Sequence, residues 1–226
     1  MIAMPLEGID QTVRRALDEL LAASSAGERY LRVMVTRGDG EFGLAADLSS
    51  ERRIVVLSRP LLPRDPDFWR NGVRAITVLQ TGHHRGEAQP KSGNYLPNIL
   101  ALDRARQSGA HEAIRIDSEG QVTEGSTSNV FIVRDGQLFT PNIASGVLPG
   151  ITRQHLIGAG ATCGLPISET TVPKGWLREA TEVMLSSTLR ELVAVTELDG
   201  QRVGTGRPGP MCRSLHEAYR ELCHGR

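Results

Sequence analysis

The sequence predicts an α+β fold in two parts, and three observations support this. Strand-like and helix-like segments are mixed without the regular β-α-β alternation of a doubly wound sheet. The glycine-rich loops G-x-G-x-x-G and G-x-x-x-x-G-K-[ST], which would open a nucleotide-binding βαβ unit, do not occur in the 226 residues. The stretch 59–72 carries Pro60, Pro63 and Pro66 among Asp65, Asp67, Asn71 and Gly72. Proline donates no backbone hydrogen bond and restricts the residue before it, so this stretch reads as a stiff linker. It divides a small first domain, residues 1–58, from a large one, residues 73–226.

The first domain opens with an amphipathic helix over residues 10–23. Val13, Ala16, Leu17, Leu20 and Leu21 fall at i, i+3, i+4, i+7 and i+8, and Asp10 is the expected N-cap. Tyr30 to Thr36 alternates as a strand, Arg37-Gly38-Asp39-Gly40 is a turn, and Ile54 to Leu57 is a short apolar strand of the buried type. Two strands and one helix make a thin domain, because a two-stranded sheet is marginal alone.

Beyond the linker, Val73 to Leu79 reads as a strand, followed by a turn-rich loop from Thr81 to Gln89. A helix is expected over 98–109, stopped by Gly109. Strands are expected over 113–116, 129–134 and 137–140, the last two joined as a hairpin at Asp135-Gly136. Helix 152–163, strand 167–172, a helical turn or two within 173–180, strands 182–186 and 193–198, and helix 210–223 complete the chain.

Composition excludes several classes. The formal net charge is +0, with 39% hydrophobic and 23% charged residues, as in an ordinary soluble protein. No basic surplus points to nucleic acid, and no apolar run approaches the ~20 residues that span a bilayer. No signal-peptide pattern is present at the N-terminus. Cys163, Cys212 and Cys223 are scattered and read as reduced cytosolic thiols, so a cytoplasmic location is expected. His83 and His84 lack metal partners at useful spacing.

Four segments carry candidate chemistry. The first is Pro90-Lys91-Ser92-Gly93-Asn94-Tyr95-Leu96. Of the 26 basic residues only Lys91 and Lys174 are lysine. A guanidinium stays protonated, whereas an ε-amine can become a nucleophile, so a rare lysine is a candidate for amine chemistry. Rarity by itself equally fits a survivor of compositional bias; the neighbours decide. The second segment, Thr123 to Phe131, sets Glu124 in a Gly/Ser-rich turn that opens an apolar strand. The third, Ser145 to Arg153, places Gly150 before a helix whose first amides, Ile151 and Thr152, form a ready anion site. Thr152 also fits a plain helix cap, and Arg153 reads as a structural ion-pairing residue. The fourth, Ser186-Ser187-Thr188, ends a strand in hydroxyls suited to phosphate oxygens.

A pyridoxal-phosphate site needs these parts: an amine for the aldehyde, an acid for the pyridine nitrogen, and amides and hydroxyls for the phosphate. Lys-Ser-Gly-Asn-Tyr, Glu-Gly-x-x-x-Asn-Val-Phe, Leu-Pro-Gly-Ile-Thr-Arg and Ser-Ser-Thr occur here in the order of one known family. From about Tyr30 onward the chain resembles the class IV, fold-type IV pyridoxal-phosphate aminotransferases. That group includes branched-chain and D-amino-acid aminotransferases and aminodeoxychorismate lyases. The resemblance implies that Lys91 forms the Schiff base and shuttles a proton, and that Glu124 meets the pyridine nitrogen. It implies that Ile151 and Thr152, with Ser187 and Thr188, hold the phosphate, and that Asn129 and Tyr95 complete the cofactor site. Tyr95 equally fits core packing.

It implies a small incomplete N-terminal α/β domain and a larger domain built on a curved mixed sheet. It also implies a homodimer with a shared site, and transfer of an amino group from an amino acid to a 2-oxo acid. Branched-chain substrates are favoured by Tyr30-x-Arg32, which resembles the substrate-binding strand of those enzymes. The lysine and glutamate blocks resemble the D-amino-acid enzymes, whose carboxylate-binding Arg and His would fall near Phe42 and Leu44. Lyase chemistry releasing pyruvate, or a catalytically impaired truncated paralogue, are the alternatives. The family pattern starts several dozen residues earlier, with an Arg that grips the phosphate. The expectation is therefore a start site placed too far downstream, ahead of a true truncation, with weak cofactor retention and poor solubility for this chain.

Overall fold

The computed structural model describes residues 4, 6–43, 45–49, 51–80 and 90–225. The loop Thr81 to Gln89, with His83 and His84, and Leu44 lie outside the described residues. The chain forms two compact units, Met1–Arg64 and Asp65–Arg226.

The first unit contains α1 (Ile9–Ala22), β1 (Arg29–Thr36) and β2 (Arg53–Pro60). The helix sits where the apolar spacing predicts it, but Asp10 does not cap it. Gly8, at φ 68, is the N-cap, and Asp10 lies in the first turn, where its charge faces the positive end of the helix dipole. β1 and β2 pair antiparallel from Arg29↔Pro60 to Thr36↔Arg53. The apolar run Ile54–Leu57 is not fully buried; it alternates half-buried and exposed. A two-stranded sheet with one helix against β2 covers one face, and Val55 and Leu57 point to the other.

The second unit contains α2 (Asp67–Asn71), β3 (Val73–Leu79), α3 (Leu96–Gln107), β4 (Glu112–Ile116), β5 (Gln121–Gly125), β6 (Asn129–Arg134) and β7 (Gln137–Pro141). It continues with α4 (Ile151–Thr162), β8 (Ile167–Thr170), β9 (Val172–Pro173), α5 (Trp176–Glu179), β10 (Glu182–Ser187), β11 (Glu191–Leu198), β12 (Gln201–Arg202) and α6 (Pro210–His224). Within the expected linker, β2 reaches Pro60 and α2 fills 67–71, so little of that stretch lacks regular structure.

One sheet takes the strands in the order β8-β7-β6-β10-β11-β3-β4-β5-β9, with β12 against β11. It is mixed: β3 runs parallel to both β4 and β11, and β8 parallel to β7, while the remaining pairs are antiparallel. The sheet curves until β5 returns against β6 and β7. Both faces are covered, which explains runs such as Val130-Phe131-Ile132-Val133. Val130 and Ile132 join the core inside the curve, with Ile114, Val122, Val183 and Leu185. Phe131 and Val133 face the opposite way, packing with Met184 and Leu192 under α4 and α6. A strand alternates its side chains, so two buried faces produce a continuous apolar run. The β6–β7 hairpin turns at Asp135 (φ 51) and Gly136 (φ 72), as the Asp-Gly pair predicts.

Candidate active site

The four segments singled out by sequence all lie in the second unit; hydrogen bonds join the second to the third, and the pairing of β6 with β10 sets Asn129 opposite Ser186 of the fourth. Glu124 stands on β5 and not in the turn expected for it; the turn is formed by the residues that follow. Its Oε2 accepts from the Leu148 amide at 2.9 Å, and its Oε1 accepts from the Arg115 guanidinium. Asn129, at the start of β6, donates its Nδ2 to the Leu148 carbonyl at 2.9 Å. Leu148 is thus held from both sides, and it leads through Pro149 and Gly150 directly into α4. A Cβ at Gly150 would lie 2.2 Å from Asn129 Oδ1, so any larger residue here would have to displace the Asn129 side chain that holds Leu148.

Two helix N-termini of this unit differ. At α6, Glu182 accepts from the Met211 and Cys212 amides at 3.0 and 2.8 Å, so a carboxylate covers the positive end. At α4 the N-cap is Gly150, no side chain caps the helix, and Ile151 is 70% exposed. Tyr219 lines the same cavity as Thr152, and its phenol is pushed up chiefly by burial and then by the Cys223 thiol beside it. With no side chain on them, the first amides of α4 are open to an anion. Thr188 lies in the turn between β10 and β11 and faces the same cavity of about 570 Å³ as Ile151, Thr152, His155 and Tyr219. Ser186 Oγ, just before that turn, is buried without a hydrogen-bond partner.

Lys91 is exposed and lies just ahead of α3, with Tyr95 as the N-cap residue of that helix. Tyr95 is half-buried, which places it in neither extreme of the two roles considered. Asn98, in the first turn of α3, donates to the Ser126 carbonyl at 2.7 Å and ties the helix after Lys91 to the turn after Glu124. Arg153 donates to the Pro141 carbonyl at 2.8 Å and to Glu169 at 2.6 Å, a structural anchor as expected. Tyr30 and Arg32 belong to the first unit, on the same face of β1, and Tyr30 lies under the Arg59 guanidinium at 4.6 Å. Phe42 is exposed.

The largest omission of the sequence reading is Glu112. It is fully buried on β4 and accepts from the Ser126 amide, the Thr127 and Ser128 hydroxyls, and Arg190 Nη1 at 2.5 Å. Burial alone would raise this carboxyl. Burial is the largest single influence, but the Arg190 charge together with hydrogen bonds from Arg190, Ala113 and Thr127 exceeds it and holds the carboxyl below the ordinary value. Glu112 therefore joins the turn after Glu124 to the turn that presents Thr188. In sequence the two partners are 78 residues apart and look like ordinary surface charges.

Comparison with known proteins gives consistent results. The sequence model of the family described as Amino-transferase class IV matches residues 2–198. The chain is 38% identical to the branched-chain-amino-acid aminotransferase of Escherichia coli K12 over 232 residues, 94% of this chain and 72% of that protein. It is 37% identical to the D-alanine aminotransferase of Listeria innocua over 214 residues, covering 93% and 73%. Among solved structures it resembles the E. coli branched-chain amino acid aminotransferase, with a TM-score of 0.85 and 28% identity over 98% of this chain and 74% of that one. It also resembles the branched-chain amino acid aminotransferase of Thermobaculum terrenum in its PLP form, with a TM-score of 0.80 and 28% identity over 96% and 71%. Among the described residues no helix is long and apolar enough to cross a membrane.

Proposed function

The chain belongs to the class IV aminotransferases, and from that premise we propose that it transfers an amino group between a branched-chain amino acid and a 2-oxo acid on pyridoxal 5'-phosphate held by its second unit. The observation that carries this reading is the link from Glu124 through Leu148 to the uncapped N-terminus of α4. It sets an acceptor for a ring nitrogen and donors for a phosphate at the two ends of one short segment. The donor set fits the cofactor: a carboxylate at one end, the Ile151 and Thr152 amides and the Thr188 hydroxyl at the other, and a primary amine at Lys91. Asn129, Tyr95 and Ser187 are proposed to complete the walls.

When bound, pyridoxal phosphate supplies an aldehyde for amines and a protonated ring that draws electrons from the substrate Cα. Lys91 is the amine that would hold that aldehyde. Its ε-amine, when free, would be the base that takes the proton from the substrate Cα and the acid that gives it back. Glu124 would supply the carboxylate for the ring nitrogen. The α4 amides and the Thr188 hydroxyl would hold the phosphate. The branched-chain assignment rests on Tyr30-x-Arg32 and on the two named structures, both branched-chain amino acid aminotransferases, and a cytoplasmic homodimer is proposed with it.

Borohydride reduction of the chain with pyridoxal phosphate, followed by peptide mapping, should place a stable adduct on Lys91; its absence there would sink the proposal. Turnover should require a 2-oxo acid, which lyase chemistry does not, and should favour leucine, isoleucine or valine over D-alanine.

A further inference from the structure

Arg115 and Glu124 meet at a β-bulge. Ile114 pairs with Gly125 and Ile116 with Val122, so one residue of β4, Arg115, opposes two of β5, Thr123 and Glu124. A bulge of this kind re-aims side chains and is common beside active sites. Here it brings the guanidinium onto the carboxylate, with the two side chains 8% and 12% exposed. Nη2 donates to Glu124 Oε1, while Oε2 takes the Leu148 amide. The Arg115 Nε is buried without a hydrogen-bond partner. A buried ion pair with an unpaired N–H is a poor device for stability, because apolar residues of the same volume serve as well or better. Its effect is on Glu124: a cation that never deprotonates, fixed against one oxygen.

We propose that Arg115 is a positioning residue for the reaction, holding Glu124 ionised and in one orientation toward the cofactor's ring nitrogen. The proposal rests on the reading of Glu124 given above. The Leu148 amide completes the clamp and registers the carboxylate against the segment that enters α4.

The test titrates the chain, by fluorescence, with pyridoxal 5'-phosphate and with its 1-deaza analogue, in which carbon replaces the ring nitrogen. Unsubstituted chain should bind the natural cofactor more tightly than the analogue. Arg115→Leu should weaken the natural cofactor about tenfold or more, the scale of a hydrogen-bonded charged contact, and leave the analogue's affinity unchanged. Equal weakening of both compounds would overturn the proposal, since a merely structural arginine cannot sense the ring nitrogen. If Arg115→Leu does not fold, Arg115→Gln, which keeps a donor and removes the charge, carries the same comparison. Equal binding of the two compounds by the unsubstituted chain would overturn the roles of Glu124 and Arg115 together. No cofactor binding and no Lys91 adduct would instead overturn the reading of the site.

Discussion

In the first unit no described residue is buried, and α1, β1 and β2 carry only half-buried and exposed side chains. In the second, Phe131, Ile132, Met184 and Leu185 have no accessible surface, and charged groups such as Glu112 are as deeply buried as the apolar ones. The difference shows where order is enforced. A buried carboxylate is tolerable only where every lone pair finds a donor, and that demands a fixed surround. The second unit has the core to supply it, and the proposed chemistry sits there. Two strands and a helix cannot provide such an environment by themselves.

This contrast can be broken by substitution. Phe131→Ala should destabilise the second unit by about 3–5 kcal/mol in denaturant unfolding, since it opens a cavity under α4 and α6. A loss below about 1 kcal/mol would show a core that relaxes easily and would weaken the case for a rigid surround. Glu112→Gln should cost about 3 kcal/mol or more at neutral pH by leaving Arg190 without its anion.

The same substitution sharpens the contrast through acid. The folded pKa of Glu112 lies below its ordinary value of 4.5. Its contribution is therefore complete above the unfolded value and is lost as pH falls through the lowered folded one. Melting temperatures of the original chain and Glu112→Gln should differ near pH 7 and converge in strong acid; a constant gap would refute the linkage. In the first unit, Val55→Ala at a site 38% exposed should cost under about 1 kcal/mol. The smallest effect is chemical. Cys163 and Cys223 are exposed and should react with a thiol reagent in the folded protein. Cys212, its thiol pushed up to about 12 by burial and by Glu182, should react only after unfolding.

The sequence made much of this visible. Helices α3, α4 and α6 and the β6–β7 hairpin follow from apolar spacing and from Gly109, Gly150 and Asp135-Gly136. What it hid has common causes. β5 is short and polar, and its Val122 and Thr123 are buried by a fold that closes on itself, which no local pattern announces. That is why Glu124 read as a loop carboxylate. Ile54 to Leu57 read as buried because an apolar run does not state how many faces are covered. Glu112, Arg115 and Arg190 escaped because a charged residue gives no sign of burial until its partner, from 9 to 78 residues away, is in place.

The position of β3 has a consequence for synthesis. This strand is near the middle of the sheet, parallel to β4 on one side and to β11 on the other, with Val73 opposite Val195. On a ribosome adding ~5–20 residues per second, β4 follows β3 within a few seconds, but β11 follows only after about 120 residues, on the order of ten seconds later. For that interval a strand containing Val73, Ala75 and Val78 presents an unsatisfied backbone edge. The nascent chain is therefore most prone to aggregation before its last strands emerge, and C-terminal truncations ending before β11 should accumulate as insoluble protein.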